Sequence, residues 1–90
     1  MSSAEVSNTE LSSMFTAPSG GVMTDDVGVV TGELELRTRC TPEGHVRVEV
    51  RYAGAEEWYR VSAADVVLSD PADHRAVHQA LLGVLHRPAG

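Results

Sequence analysis

The sequence predicts an α+β domain: a three-stranded antiparallel meander covered on one face by a C-terminal helix. Three observations carry this. Apolar and charged residues alternate strictly over Glu33–Cys40 and His45–Tyr52. Two glycine-bearing turns imply strand registers that agree with each other. After Asp70-Pro71 the apolar spacing changes to that of a helix.

In the first strand Leu34, Leu36, Thr38 and Cys40 fall on one side, and Glu33, Glu35, Arg37 and Arg39 on the other. In the second, Val46, Val48, Val50 and Tyr52 oppose His45, Arg47, Glu49 and Arg51. Such alternation belongs to half-buried strands, and the β-branched content agrees. Thr41-Pro42-Glu43-Gly44-His45 suits a hairpin loop with Gly44 in the left-handed position. That turn sets Cys40 against Val46, Thr38 against Val48, Leu36 against Val50 and Leu34 against Tyr52. Outside it pairs Arg37 with Glu49 and Glu35 with Arg51. A slip of two residues would oppose like charges, which is destabilising. Arg39 beside Arg47 is the one unfavourable pair.

Gly54-Ala55 suits a two-residue turn with glycine first, placing Ala53 opposite Glu56, Val50 opposite Tyr59 and Val48 opposite Val61. On the outer side Arg51 meets Trp58 and Glu49 meets Arg60. This register also leaves Glu57 beside Tyr52 at the inner edge.

The helix is expected from Pro71 to about His86. Asp70 is a suitable N-cap, Pro71 fits the first helical position, Asp73 favours the positive helix end, and Arg87 and Pro88 close the pattern. Val77, Leu81, Val84 and Leu85 form its apolar stripe. Ala76 and Ala80 flank one side, and His74, His78 and Leu82 the other.

Residues 1–26 are rich in Ser, Thr, Gly and Ala and read as a disordered N-terminal arm; 27–87 form the domain and 88–90 a short tail. Met14 and Met23 are alternative starts to Met1. Within the arm, Ser7-Asn8-Thr9-Glu10 has capping-box spacing, and Leu11, Met14 and Phe15 follow at helical intervals, as in a short peptide that docks in a partner's groove. Val27–Thr31 reads either as an extension of the first strand through Gly32 or as a separate edge strand. Ala63–Leu68 is a candidate fourth strand.

Ninety residues with four aromatic side chains make a small core, of the kind that oligomerisation often completes, so a homodimer is expected. The net charge of −6 disfavours nucleic-acid binding. All seven basic residues are Arg, and Lys and Ile are absent, which suggests a bacterium of high GC content. A single cysteine, Cys40, excludes an internal disulfide. No apolar run approaches a membrane span, and the N-terminus lacks a signal-peptide pattern, so a cytoplasmic protein is expected.

No Gly-rich phosphate loop, catalytic triad or acidic cation site is legible; Asp25-Asp26 reads as tail. An enzyme is therefore not expected, nor a cofactor. The outer sheet face carries one large aromatic, Trp58, among Arg47, Arg51 and Arg60, a composition that suits a protein partner. The leading expectation is a non-enzymatic interaction or regulatory module. Two alternatives follow from other residues. His74 and His78 stand one helical turn apart and would form half of a metal site, which Cys40, His45, Asp73 or a partner chain would complete. The Arg/Trp face could also stack single-stranded nucleic acid, although Glu33, Glu35 and Glu49 interrupt it.

Overall fold

A computed structural model describes residues 8–86. Its fold is α+β. One antiparallel sheet contains β1 (Thr9–Thr16), β4 (Glu33–Cys40), β5 (His45–Tyr52) and β6 (Tyr59–Arg60) in that order, with β7 (Val66–Val67) also paired to β5. A separate two-stranded ribbon joins β2 (Val22–Thr24) and β3 (Gly28–Val30). The helix α1 (His74–Leu85) follows a short 3-10 turn at Pro71–Asp73. Among the described residues no helix is long and apolar enough to cross a membrane.

The β4–β5 hairpin forms in the expected register, from Leu34 opposite Tyr52 to Cys40 opposite Val46. The Thr41 amide donates to the His45 carbonyl, and Gly44 has φ +93°. Gly44 has a second constraint: its carbonyl accepts from the Leu68 amide, and a Cβ here would collide with the Leu68 carbonyl. The candidate strand in Ala63–Leu68 is present as β7.

The second turn differs in detail. The Ala55 amide donates to the Tyr52 carbonyl, so Ala53 and Gly54 are the central residues, with Gly54 second at φ +80°. That position of positive φ belongs to a type II turn. The ladder resumes in the expected register at Val50 opposite Tyr59 and Glu49 opposite Arg60, and the Val61 amide donates to the Val48 carbonyl.

The largest departure is at the N-terminal side. Residues 1–7 lie outside the described residues, Ser7 of the expected capping box among them. From Thr9 on, the disordered arm and its helical motif give way to β1, paired with β4 along its whole length. Thr9, Leu11, Ser13 and Phe15 share the side facing the helix, with burial rising from an exposed Thr9 to a buried Phe15, while Glu10, Ser12 and Met14 on the other side are exposed. Leu11, Met14 and Phe15 thus do not share a face: Phe15 is buried and Met14 is 56% exposed. Val27–Thr31 contributes β3, paired to β2 instead of continuing β4; Gly32, at φ +88°, makes the bend between them. Asp25 and Asp26 are clamps, not tail. The Asp25 amide donates to the Arg60 carbonyl, the Arg60 amide to Asp26, and the Ser62 amide to Asp25. The hydrogen bonds from Ser62, helped by the Arg60 charge, hold the Asp25 carboxyl below its ordinary pKa.

The core lies on one face of the main sheet. Leu34, Leu36, Val46, Val48 and Val50 are fully enclosed, joined by Phe15 from β1, Val22 and Val30 from the ribbon, and Val61. The helix lies over β1 and β4 and seats differently from the apolar stripe. His74 and His78 are its buried residues, Leu81, Leu82 and Leu85 pack on the core, and Val84 is 77% exposed. The helix is rotated toward its histidine flank by roughly half of the ~100° step between residues. The reason is the set of hydroxyls beneath it.

Candidate functional site

Two constellations stand out, one inside the fold and one on its surface. The inner one begins with Thr38, the polar residue in the inward row of β4. Thr38 is fully buried between two apolar neighbours, Leu36 and Cys40. Its Oγ1 lies 2.8 Å from Nε2 of His74 and 2.7 Å from Nδ1 of His78. The other ring nitrogens reach β1: Nδ1 of His74 is 2.8 Å from Thr9 Oγ1, and Nε2 of His78 is 2.9 Å from Ser13 Oγ. All four ring nitrogens thus have a hydroxyl partner.

Proton counting constrains this chain further. A neutral imidazole has one donor and one acceptor, and a hydroxyl has one proton. Thr38 can therefore donate to at most one ring, so at least one of the two imidazoles donates its N–H to the Thr38 hydroxyl and takes its other bond as an acceptor from β1. Burial holds both imidazoles below the ordinary histidine pKa; the nearby His74 lowers His78 further, whereas the Thr38 main chain partly offsets the effect at His74. Buried polar groups are tolerated when every member is satisfied, and here they are.

The two histidines do project the same way, as their spacing implies. Their convergent nitrogens meet on the Thr38 hydroxyl. Among the described residues no three His, Cys, Asp or Glu side chains gather as a metal site, so Cys40, His45 and Asp73 are not brought to the pair. Cys40 is buried, its thiol directed at the Thr41 carbonyl, and burial raises its pKa away from the reactive thiolate.

The surface constellation is built on the outward rows of β4 and β5, none of which is buried. Arg37 pairs with Glu49 and Arg51 with Glu35, each at 2.8 Å. The Trp58 ring lies against both guanidiniums, with Arg37 Cζ at 3.9 Å and Arg51 Cζ at 4.4 Å from its centroid. Trp58 is consequently half-buried, not freely exposed. The carboxylates hold the guanidiniums in place, and the guanidiniums hold the ring by cation–π attraction.

The expected cluster of Trp58, Arg51, Arg60 and Arg47 is only partly brought together. Arg37 takes the place expected of Arg60. Arg60 instead binds Asp65, donates to the Val48 carbonyl, and has its pKa raised by the Asp65 carboxylate. Arg47 is exposed beside Arg39 and borders a shallow depression with Asn8, Thr41, Glu43 and His45 at the hairpin end. Arg39 approaches Glu10 at 3.5 Å and Glu49 at 3.8 Å. Arg37 was detectable in principle, since it sits diagonally across the ladder from Arg51, within reach of a large side chain. Thr9, Ser13 and Thr38 carried a fainter signal, as hydroxyls in otherwise apolar rows. Searches among protein-family models, curated proteins and solved structures return no match, so the functional reading rests on the geometry.

Proposed function

We propose that this chain is a non-enzymatic protein-interaction module that works as a homodimer and engages its partner through the outer face of β4 and β5. One observation carries the reading: Trp58 is laid on two ion-paired arginines on a sheet face whose outward rows contain no buried residue. Trp and Arg are the residue types most enriched at binding hot spots. Here both are already ordered, which lowers the entropy lost when a partner docks. The inner constellation favours no enzymatic alternative, because its titratable groups are enclosed and all satisfied by the fold.

The test is affinity capture from the source cell with full-length wild-type protein and a Trp58→Ala variant, each confirmed as folded by circular dichroism. The wild type should retain a partner that Trp58→Ala loses. Recovery of the same partner in equal amount by both would contradict the proposal.

A further inference from the structure

The two edges of the main sheet are finished differently. On the β5 side, the edge is divided between β6 and β7, each two residues long, with Arg60 bound to Asp65 beside them. Short, interrupted strands are a usual protection against edge-to-edge pairing. On the other side, β1 offers eight continuous residues, TELSSMFT, with no Pro, Lys or bulge.

The alternation of β1 identifies its outward main-chain groups. The Ala17 amide, just beyond the strand, points inward to the Gly32 carbonyl. The Thr16 amide points outward and donates to Nδ1 of His86 at 3.2 Å. By the two-residue period, Glu10, Ser12 and Met14 also present their amides and carbonyls outward. Among the described residues these three have no main-chain partner, whereas His86 closes the row at Thr16.

We infer that β1 is the strand by which two copies of this chain join into one continuous antiparallel sheet, with Ser12 of each copy facing Ser12 of the other across a two-fold axis. The choice of register follows from elimination. Centring the pair on Glu10 would oppose two carboxylates, and centring it on Leu11 would pair Glu10 only with Ser12 and leave Met14 beyond the end of the partner's β1. Centring it on Ser13 or Met14 would require the Thr16 amide that His86 already occupies. Centring it on Ser12 uses all three open residues, pairs Glu10 of one copy with Met14 of the other, and opposes no like charges. Three such pairs exchange about six main-chain hydrogen bonds, and a two-fold closes the assembly without leaving this edge exposed.

This rests on the homodimer proposed above but not on the Trp58 face: a monomeric wild type defeats both the homodimer and the β1 assignment, whereas a dimer unmoved by the Ser12 variants defeats the β1 assignment alone. Loss of partner capture by Trp58→Ala with the dimer intact would leave the β1 assignment standing. The experiment is sedimentation equilibrium on full-length protein across a concentration series. Wild type should be a dimer. Ser12→Glu and Ser12→Lys should each weaken self-association about fivefold or more by opposing like charges on the axis, and mixing the two should restore dimers. Met14→Lys, which places an ammonium opposite Glu10 twice per dimer, should tighten association. Ser12→Pro removes only an outward amide, so it should keep the monomer fold by circular dichroism while weakening the dimer at least tenfold. A monomeric wild type, or a dimer unmoved by Ser12→Glu, Ser12→Lys and Ser12→Pro, would overturn the assignment.

Discussion

The two strands that flank β4 are held by different chemistry. β5 is joined to it by a tight turn, and its inward row between Val46 and Val50 is entirely valine. β1 lies far from β4 in sequence and presents an inward row of Thr9, Leu11, Ser13 and Phe15, half of it hydroxyl. Burial alone accounts for β5. For β1, burial alone would leave Ser13 and Thr9 without purpose; two histidines 65 residues away supply it. One neighbour of β4 is thus placed by hydrophobic register and the other by a satisfied polar chain that also sets the rotation of α1. A strand held this way can keep its opposite edge plain enough to receive a second copy.

The comparison can be broken most severely at Thr38. Thr38→Val keeps the shape but removes a partner from each of two buried imidazoles, and should cost about 2–4 kcal/mol in urea denaturation. Replacing all three residues together, His74→Leu/Thr38→Val/His78→Leu, should recover most of that loss, because no fully buried polar group then lacks a partner and only the Thr9 and Ser13 hydroxyls, which are not fully buried, lose theirs. A Thr38→Val protein as stable as wild type would show that the chain contributes nothing to holding β1.

On the β5 side the corresponding break is Gly44→Ala. It forces a side chain into a left-handed conformation and against the Leu68 carbonyl. A loss of about 2–3 kcal/mol is expected from thermal or urea unfolding, with β7 the first strand to lose amide protection.

Lowering the pH should separate the two regions without mutation. His74 and His78 have folded pKa values below the ordinary 6.5 because burial disfavours their charged forms. Between the folded and unfolded values the unfolded chain binds more protons, so stability rises with pH there. Their full contribution is present above about pH 6.5 and is lost as pH falls toward the folded values. Urea midpoints measured from pH 7.5 downward should fall in wild type and stay flatter in the triple apolar variant through this window.

The smallest effect sharpens the helix rotation. Val84→Asp should change stability by no more than about 0.5 kcal/mol, since Val84 is exposed, whereas Leu85→Ala should cost several times more. Equal costs at the two positions would place the helix as its apolar stripe alone suggests.

These contrasts also explain what the sequence could disclose. The β4–β5 register was legible pair by pair because the turn chemistry, the alternation and the cross-strand charges lie within one short stretch. The Asp70 cap was legible for the same reason, and its side chain does accept from the Ala72 amide. β1 was not legible, because its inward hydroxyls resemble a solvated tail until their distant partners are known. The helix rotation failed with it: hydropathy ranks Val84 above His74 and His78, and only Thr38, Thr9 and Ser13 reverse that order. Asp25 and Asp26 were likewise uninterpretable without the Arg60 and Ser62 backbone they bind. On the outer face, the Arg51–Trp58 contact was expected from strand pairing, whereas Arg37 entered through a diagonal neighbour relation.

The claim that a closed imidazole–hydroxyl chain holds β1 to the fold is tested most directly by nitrogen-15 NMR of the histidine rings as a function of pH. His74 and His78 should each be neutral near pH 7, with one protonated nitrogen in a single slowly exchanging tautomer, and should titrate below 6.5. Rapid tautomer averaging in both rings, or titration of both at or above 6.5, would contradict it.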